Sequence, residues 1–191
     1  IAATPSLRLL FMISFTSGLL LRPYTELLPG FSDEIFGRGP EGLAALTAAA
    51  GFGALACGLL LVFRGRARGL VRIMLGGAIS GSIGLALFAT TGTLTSGVAV
   101  LAVASFLMLA CHVGAYSLIQ NATDGEMRGR VISVNVSISI GGPALGALII
   151  GWLAEAVGLQ WAVASSALLA LIVVLTLLPA VLRTAPAMEA D

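Results

Sequence analysis

Six apolar stretches, each about as long as a bilayer is thick, constrain this chain more than any other feature: Leu7 to Leu28, Glu41 to Phe63, Leu70 to Ala89, Thr95 to Gln120, Val131 to Ala154 and Trp161 to Leu182. A hydrocarbon core of about 30 Å is crossed by roughly 20 helical residues. Lipid offers no partner to open backbone groups, and these stretches lack the two-residue alternation of a barrel strand, so helices are required. The expected fold is all-α, one bundle of six transmembrane helices over residues 1–191, with short connections that make successive helices antiparallel. Composition excludes the soluble alternative: 58% of residues are hydrophobic and 10% charged, too few polar groups to cover a globule in water. Mean hydropathy is +1.05. Cys57 and Cys111 lie inside apolar stretches and are expected as small buried hydrophobes. Nothing points to a metal, a cofactor or a nucleic-acid partner.

Arginine placement sets the expected orientation. All ten basic residues are Arg, a bias that fits a GC-rich bacterial genome and hence a bacterial inner membrane. Arg64, Arg66, Arg68 and Arg72 surround one turn, and Arg128 and Arg130 close another. Arg8 and Arg183 flank the first and last stretches on the same side, which is cytoplasmic by the positive-inside rule and carries both ends of the segment. The opposite loop, 29–40, sets Asp33 and Glu34 against Arg38 alone. The opening IAATPS resembles the tail of a linker, and the chain is expected to be a fragment.

The segment LLLRPYTELLPGF places Arg22 and Glu26 within an apolar stretch. Leu9 to Leu21 alone would span only about 20 Å, so the helix is expected to continue to about Leu28. That puts Glu26 near the outer boundary and Arg22 about one and a half turns inside it. Ser14, Gly18, Arg22 and Glu26 recur every four residues, one small and polar stripe. Either Arg22 snorkels to the outer headgroups with Glu26 as its partner, or the stripe lines a cavity. Pro23 is expected to bend the helix.

Other candidates follow the helical repeat. His112, the only histidine, shares a face with Met108, Tyr116 and Gln120, with Ser105 a turn further back. Its imidazole is suited to relaying protons or bonding a substrate, and equally to satisfying a neighbouring carbonyl. Asn135, Ser139, Gly142 and Gly146 form a small, polar face that suits a cavity or close packing. Gly76, Ser80 and Gly84, beside Gly77 and Gly81, have the spacing of a packing seam. The last stretch is expected to face lipid.

AGFGALACGLL at 50–60 is matched by IGGPALGALII at 140–150, with Gly51 on Gly141 and Ala54 and Leu55 on Ala144 and Leu145. The two stretches cross in opposite senses, as an inverted three-plus-three repeat requires; chance likeness of Gly-, Ala- and Leu-rich helices is the alternative.

The segment 116–158, YSLIQNATDGEMRGRVISVNVSISIGGPALGALIIGWLAEAVG, resembles the major facilitator superfamily, in the bacterial branch of enterobactin-exporter-like and macrolide-efflux-like permeases. Glu126, Arg128, Gly129, Arg130, Val131 and Ser133 match that branch's loop between the tenth and eleventh helices, and Pro143, Leu145 and Gly146 match the helix turn that comes next. RPYTELLPGFSDEIFGRGPEGLAAL resembles its seventh helix and next loop. The resemblance implies the C-terminal half of a twelve-helix permease: a secondary transporter, an exporter of small molecules such as drugs or siderophores. It would work by alternating access against an N-terminal six-helix half, driven by protons. Its ninth and twelfth helices would be peripheral and its seventh, eighth, tenth and eleventh would line the cavity. Glu126, Arg128, Gly129 and Arg130 would hold a cytoplasmic gate, although the same arginines serve as topology signals and lipid contacts.

Two departures qualify this. FRGRARG lacks the Asp that usually accompanies this superfamily's basic loop, and GGPALG resembles an antiporter motif that belongs to the other half. The substrate and proton-path candidates are Arg22, Glu26, His112, Tyr116, Asn135 and Ser139. Other readings are a six-helix channel or a non-transporting membrane partner, and an intramembrane serine hydrolase using Ser80 or Ser82, whose surroundings do not fit nucleophile spacing. No enzymatic activity is expected.

Overall fold

A computed structural model describes residues 5–64, 69–121 and 128–188, and among them every regular element is helical. Five helices are long and apolar enough to cross a membrane: α3 (Gly39–Arg64), α4 (Leu70–Ala89), α5 (Leu94–Asn121), α6 (Arg128–Val157) and α7 (Leu159–Met188). Each coincides with one of the last five apolar stretches. Turns at Gly39, Gly69 and Gly158 take φ values of +53°, +81° and +86°, which glycine adopts without a Cβ penalty.

The first stretch is helical but not continuous. Helix α1 (Pro5–Thr16) passes into a π-helical turn at Ser17–Leu21, closed by the Arg22 N–H on the Ser17 carbonyl at 3.0 Å. After a break at Arg22 and Pro23 the chain resumes as α2 (Tyr24–Gly30) and a second π turn, Phe31–Ile35. Thr25 donates through its backbone N–H and its hydroxyl to the Arg22 carbonyl, and the Glu26 N–H to that of Pro23. The helical path therefore runs beyond Leu28 to Ile35, where Phe31 is fully buried against Phe88, with ring centroids 4.8 Å apart, and draws the 29–40 loop into the bundle.

Glycines decide how the helices approach. A Cβ on Gly77 would lie 2.6 Å from the Cys111 nitrogen and the Leu107 carbonyl, one on Gly81 2.7 Å from Met108, and one on Gly84 3.0 Å from Ala104. Gly53 of α3 sits directly on the Ala102 carbonyl of α5. The expected seam on α4 is therefore real but rotated: Gly77, Gly81 and Gly84 form it, while Gly76 faces open space. Small residues let backbones close to contact distance, where dispersion replaces the missing hydrophobic drive. Helix α4 packs on α5 and α7, α3 on α5, and α6 on the first π turn and α7. Within this bundle α4 is the most enclosed of the five long helices and α6 the least.

Two apolar cores stack along the bundle. One gathers Leu21, Leu28, Phe31, Leu85, Phe88 and Leu101; the other gathers Leu10, Ile13, Val71, Met74, Leu118 and Val181. At one end, Gly30 meets Leu159, Gly97 meets Phe36, and the Gln160 side chain donates to the Thr91 carbonyl at 3.2 Å. The three Arg-poor turns thus share that end. Exposed Arg8, Arg72, Arg130 and Arg183 lie at the other, beside the cluster that holds Val71, Val131 and Val181. The outward surface is apolar, with Phe52, Phe63, Ile140, Leu148 and Trp152 each at least 70% exposed, a surface suited to lipid or another bundle and not to water.

Candidate functional site

The break in the first helical stretch opens a cleft of about 150 Å³ lined by Arg22, Tyr24 and Thr25 from that stretch, Ala54 from α3, and Ser105, Met108, Leu109 and His112 from α5. It lies near mid-bundle: on α5, Ser105 is eleven residues after Leu94 and His112 nine before Asn121. Arg22 is seventeen residues from Pro5 and thirteen from Ile35. The sequence places Arg22 nearer the outer boundary because it ends the helix at Leu28; the extension to Ile35 sinks it to the middle.

Local chain geometry explains each position. Pro23 has no N–H to bond the Leu19 carbonyl. Gly146 of α6 lies against that carbonyl and the Pro23 ring, so tightly that a Cβ there would collide with both. Gly142 meets Gly18 in the same way, its added Cβ 3.2 Å from the Gly18 carbonyl carbon. The π turn adds a residue to one helical turn and so rotates the residues C-terminal to it about the helix axis. The expected four-residue stripe is thereby split: Gly18 is buried against α6, Arg22 faces the cleft, and Glu26 faces elsewhere.

Within the cleft the buried Tyr24 hydroxyl and the Ser105 hydroxyl are hydrogen-bonded at 3.0 Å. Ser17 and Cys111 approach to 3.6 Å nearby. Arg22 forms no ion pair among the described residues. Glu26 does not serve as its partner. It lines a separate cleft of about 330 Å³ at the Arg-poor end, with Glu34 and Glu155 among the other lining residues.

Of the remaining candidates, only His112 joins Arg22. Tyr116 lies on the C-terminal half of α5, half-buried, and Ser139 is half-buried on α6; neither lines the cleft. Asn135 is buried with its side-chain oxygen unpartnered, on the α6 face that carries Gly142 and Gly146. Gly129 and Arg130 are exposed at the start of α6, whose first residue is Arg128, and Glu126 lies outside the described residues. Ser80 and Ser82 donate their hydroxyls to the carbonyls of Gly76 and Ala78, and neither is bonded to His112, the contact an activated serine needs. Among the described residues no cluster of three or more His, Cys, Asp or Glu suits a metal ion.

Tyr24 and Thr25 do not stand out as site residues in the sequence, and Ser105 figures there only as a neighbour of His112. The available signal is the placement of Tyr24 directly after a helix-breaking proline. No protein-family model matches the chain, and neither a curated protein nor a solved structure matches it.

Proposed function

We propose that this chain is a six-crossing half of a secondary transporter of the major facilitator type, exporting small molecules by rocking against a second six-helix bundle. The observation that carries the reading is the mid-bundle polar cleft formed where a membrane-crossing helix is broken, with walls from the first, second and fourth crossings. Transporter sites are built at such depth from discontinuous helices.

Two helix pairings fit a three-plus-three repeat, while the packing of α6 on α7 has no counterpart of similar extent between α3 and α4. If crossings one to three are exchanged with four to six, the packing of the first stretch on α6 becomes that of α5 on α3, and the packing of the first stretch on α7 becomes that of α5 on α4. With Gly51 set on Gly141, the contact glycine Gly53 falls one position from Gly142, one of the two contact glycines of α6 with Gly146. The least covered apolar windows belong to α6 and α3, the two helices that such a partner bundle would meet. In this reading the Arg-rich end is cytoplasmic, and Glu126, Arg128 and Arg130 belong to the inner gate.

The test is sided labelling with a membrane-impermeant maleimide of single cysteines at Ala67, Gly125, Gly37 and Gly92 in a Cys57→Ala, Cys111→Ala background. The first two should react only from the cytoplasmic side and the last two only from outside. Opposite sidedness of 67 and 125 defeats the proposal. Proton-driven efflux in vesicles by the intact permease tests the activity.

A further inference from the structure

The cleft beside Arg22 is charged in one sense only. Of its lining residues, Arg22 carries a permanent positive charge; Tyr24, Thr25, Ser105 and His112 bring hydroxyl or imidazole groups; Ala54, Met108 and Leu109 are apolar. Among the described residues no carboxylate lines it, and Glu26 opens onto the other cleft. Arg22 is exposed where the cleft opens, and a guanidinium at mid-membrane depth is costly unless a countercharge or water meets it; Arg22 finds no acid among the described residues. Its planar fork of donors matches the two oxygens of a carboxylate or phosphate. In the Tyr24–Ser105 pair one hydroxyl donates to the other, which leaves the second hydroxyl's proton free for an incoming acceptor. The volume, about 150 Å³, is on the scale of a cavity that holds one aromatic ring.

We propose that this cleft binds an anion, a carboxylate or phosphate carried on a small apolar body. The anionic oxygens meet Arg22 and the free hydroxyl of the Tyr24–Ser105 pair, and the apolar body lies against Ala54, Met108 and Leu109. The inference rests on the transport reading only for the anion being cargo.

The test uses the full chain in a phosphate-free maltoside detergent, with benzoate, benzyl alcohol and benzylamine as matched probes in equilibrium dialysis. Benzoate should bind about tenfold or more tightly than benzylamine, the scale of one charge-assisted contact. Arg22→Gln should erase that preference and Arg22→Lys should keep part of it. Equal or tighter binding of benzylamine, or an unchanged preference in Arg22→Gln, overturns the proposal. A second measurement needs no variant: benzoate, and not benzyl alcohol, should slow phenylglyoxal modification of Arg22 in the native chain while leaving Arg72 unaffected. Equal rates at Arg22 with and without benzoate also overturn it. Adding phosphatidylglycerol to the micelles separates the sources of the anion. Competition with benzoate supports the site with a lipid headgroup as its occupant, and the absence of competition supports it with a free solute. Anion selectivity without vesicle efflux leaves the site standing and removes the transport reading; efflux with no anion preference does the reverse.

Discussion

Tyr24 and Ser105 share a buried hydrogen bond of 3.0 Å although 81 positions separate them in the chain. The bond ties the segment just after the Arg22–Pro23 break to the middle of α5, and so fixes one edge of the cleft. Hydrogen bonds between membrane helices average about 0.6 kcal/mol in double-mutant cycles, with a maximum of about 1.7. Tyr24→Phe and Ser105→Ala should each destabilise the bundle by about that amount, and the double variant should cost less than the sum of the singles. Unfolding in mixed detergent micelles measures all three; strict additivity would mean that the two hydroxyls do not interact.

Gly146 and Gly53 should tolerate no side chain, since each presses on a backbone carbonyl of a neighbouring helix. Overpacking of this kind typically costs about 1–3 kcal/mol, so Gly146→Ala and Gly53→Ala should lower the midpoint of thermal unfolding. Gly51→Ala and Gly141→Ala, whose added Cβ would meet nothing within 4 Å, should be neutral or slightly stabilising through helix propensity. Equal effects in both pairs would contradict the described crossings.

His112 is the one side chain in the cleft whose ordinary titration falls near neutrality, and Glu26 lines the acidic cleft at the Arg-poor end. On the proposed transport reading, replacing either by Gln should alter the pH dependence of efflux from vesicles. Profiles identical to the parent in both variants would take both residues out of the proton path.

The chain has two tryptophans, and both stand exposed on either side of Gly158, Trp152 on α6 and Trp161 on α7. At 1.5 Å per residue they sit about 9 Å and about 4.5 Å from that turn along their helices, the depth range of an interfacial aromatic belt. Depth-dependent quenching by brominated lipids should therefore place both in the outer half of one leaflet, with Trp161 shallower than Trp152. Emission quenched best by bromines at the bilayer centre would show that Gly158 does not mark the membrane boundary.

Much of the scaffold is legible in the sequence, because hydropathy and length decide where a helix crosses lipid. Leu70 to Ala89 matches α4 end for end, and the other four expected spans from Glu41 onward fall inside their helices. The first stretch is not legible in the same way. Pro23 signals a bend, but the π turns at Ser17–Leu21 and Phe31–Ile35 depend on contacts with Gly146 and Phe88, far along the chain. The candidate site shows the same division. Arg22 and His112 stand out as polar groups in apolar runs, whereas Tyr24 and Ser105 become site residues only through the approach of α5.

The close seat of Gly146 on the Leu19 carbonyl also bears on how such a sequence can diverge. Pro23 leaves that oxygen without its usual amide donor, and only a residue lacking Cβ can sit over it. A lineage that replaces Gly146 first incurs a steric clash. One that replaces Pro23 first relieves the contact with the pyrrolidine ring, but the Leu19 carbonyl still excludes a Cβ at 146. Glycine should accordingly persist at 146 among relatives whatever residue stands at 23.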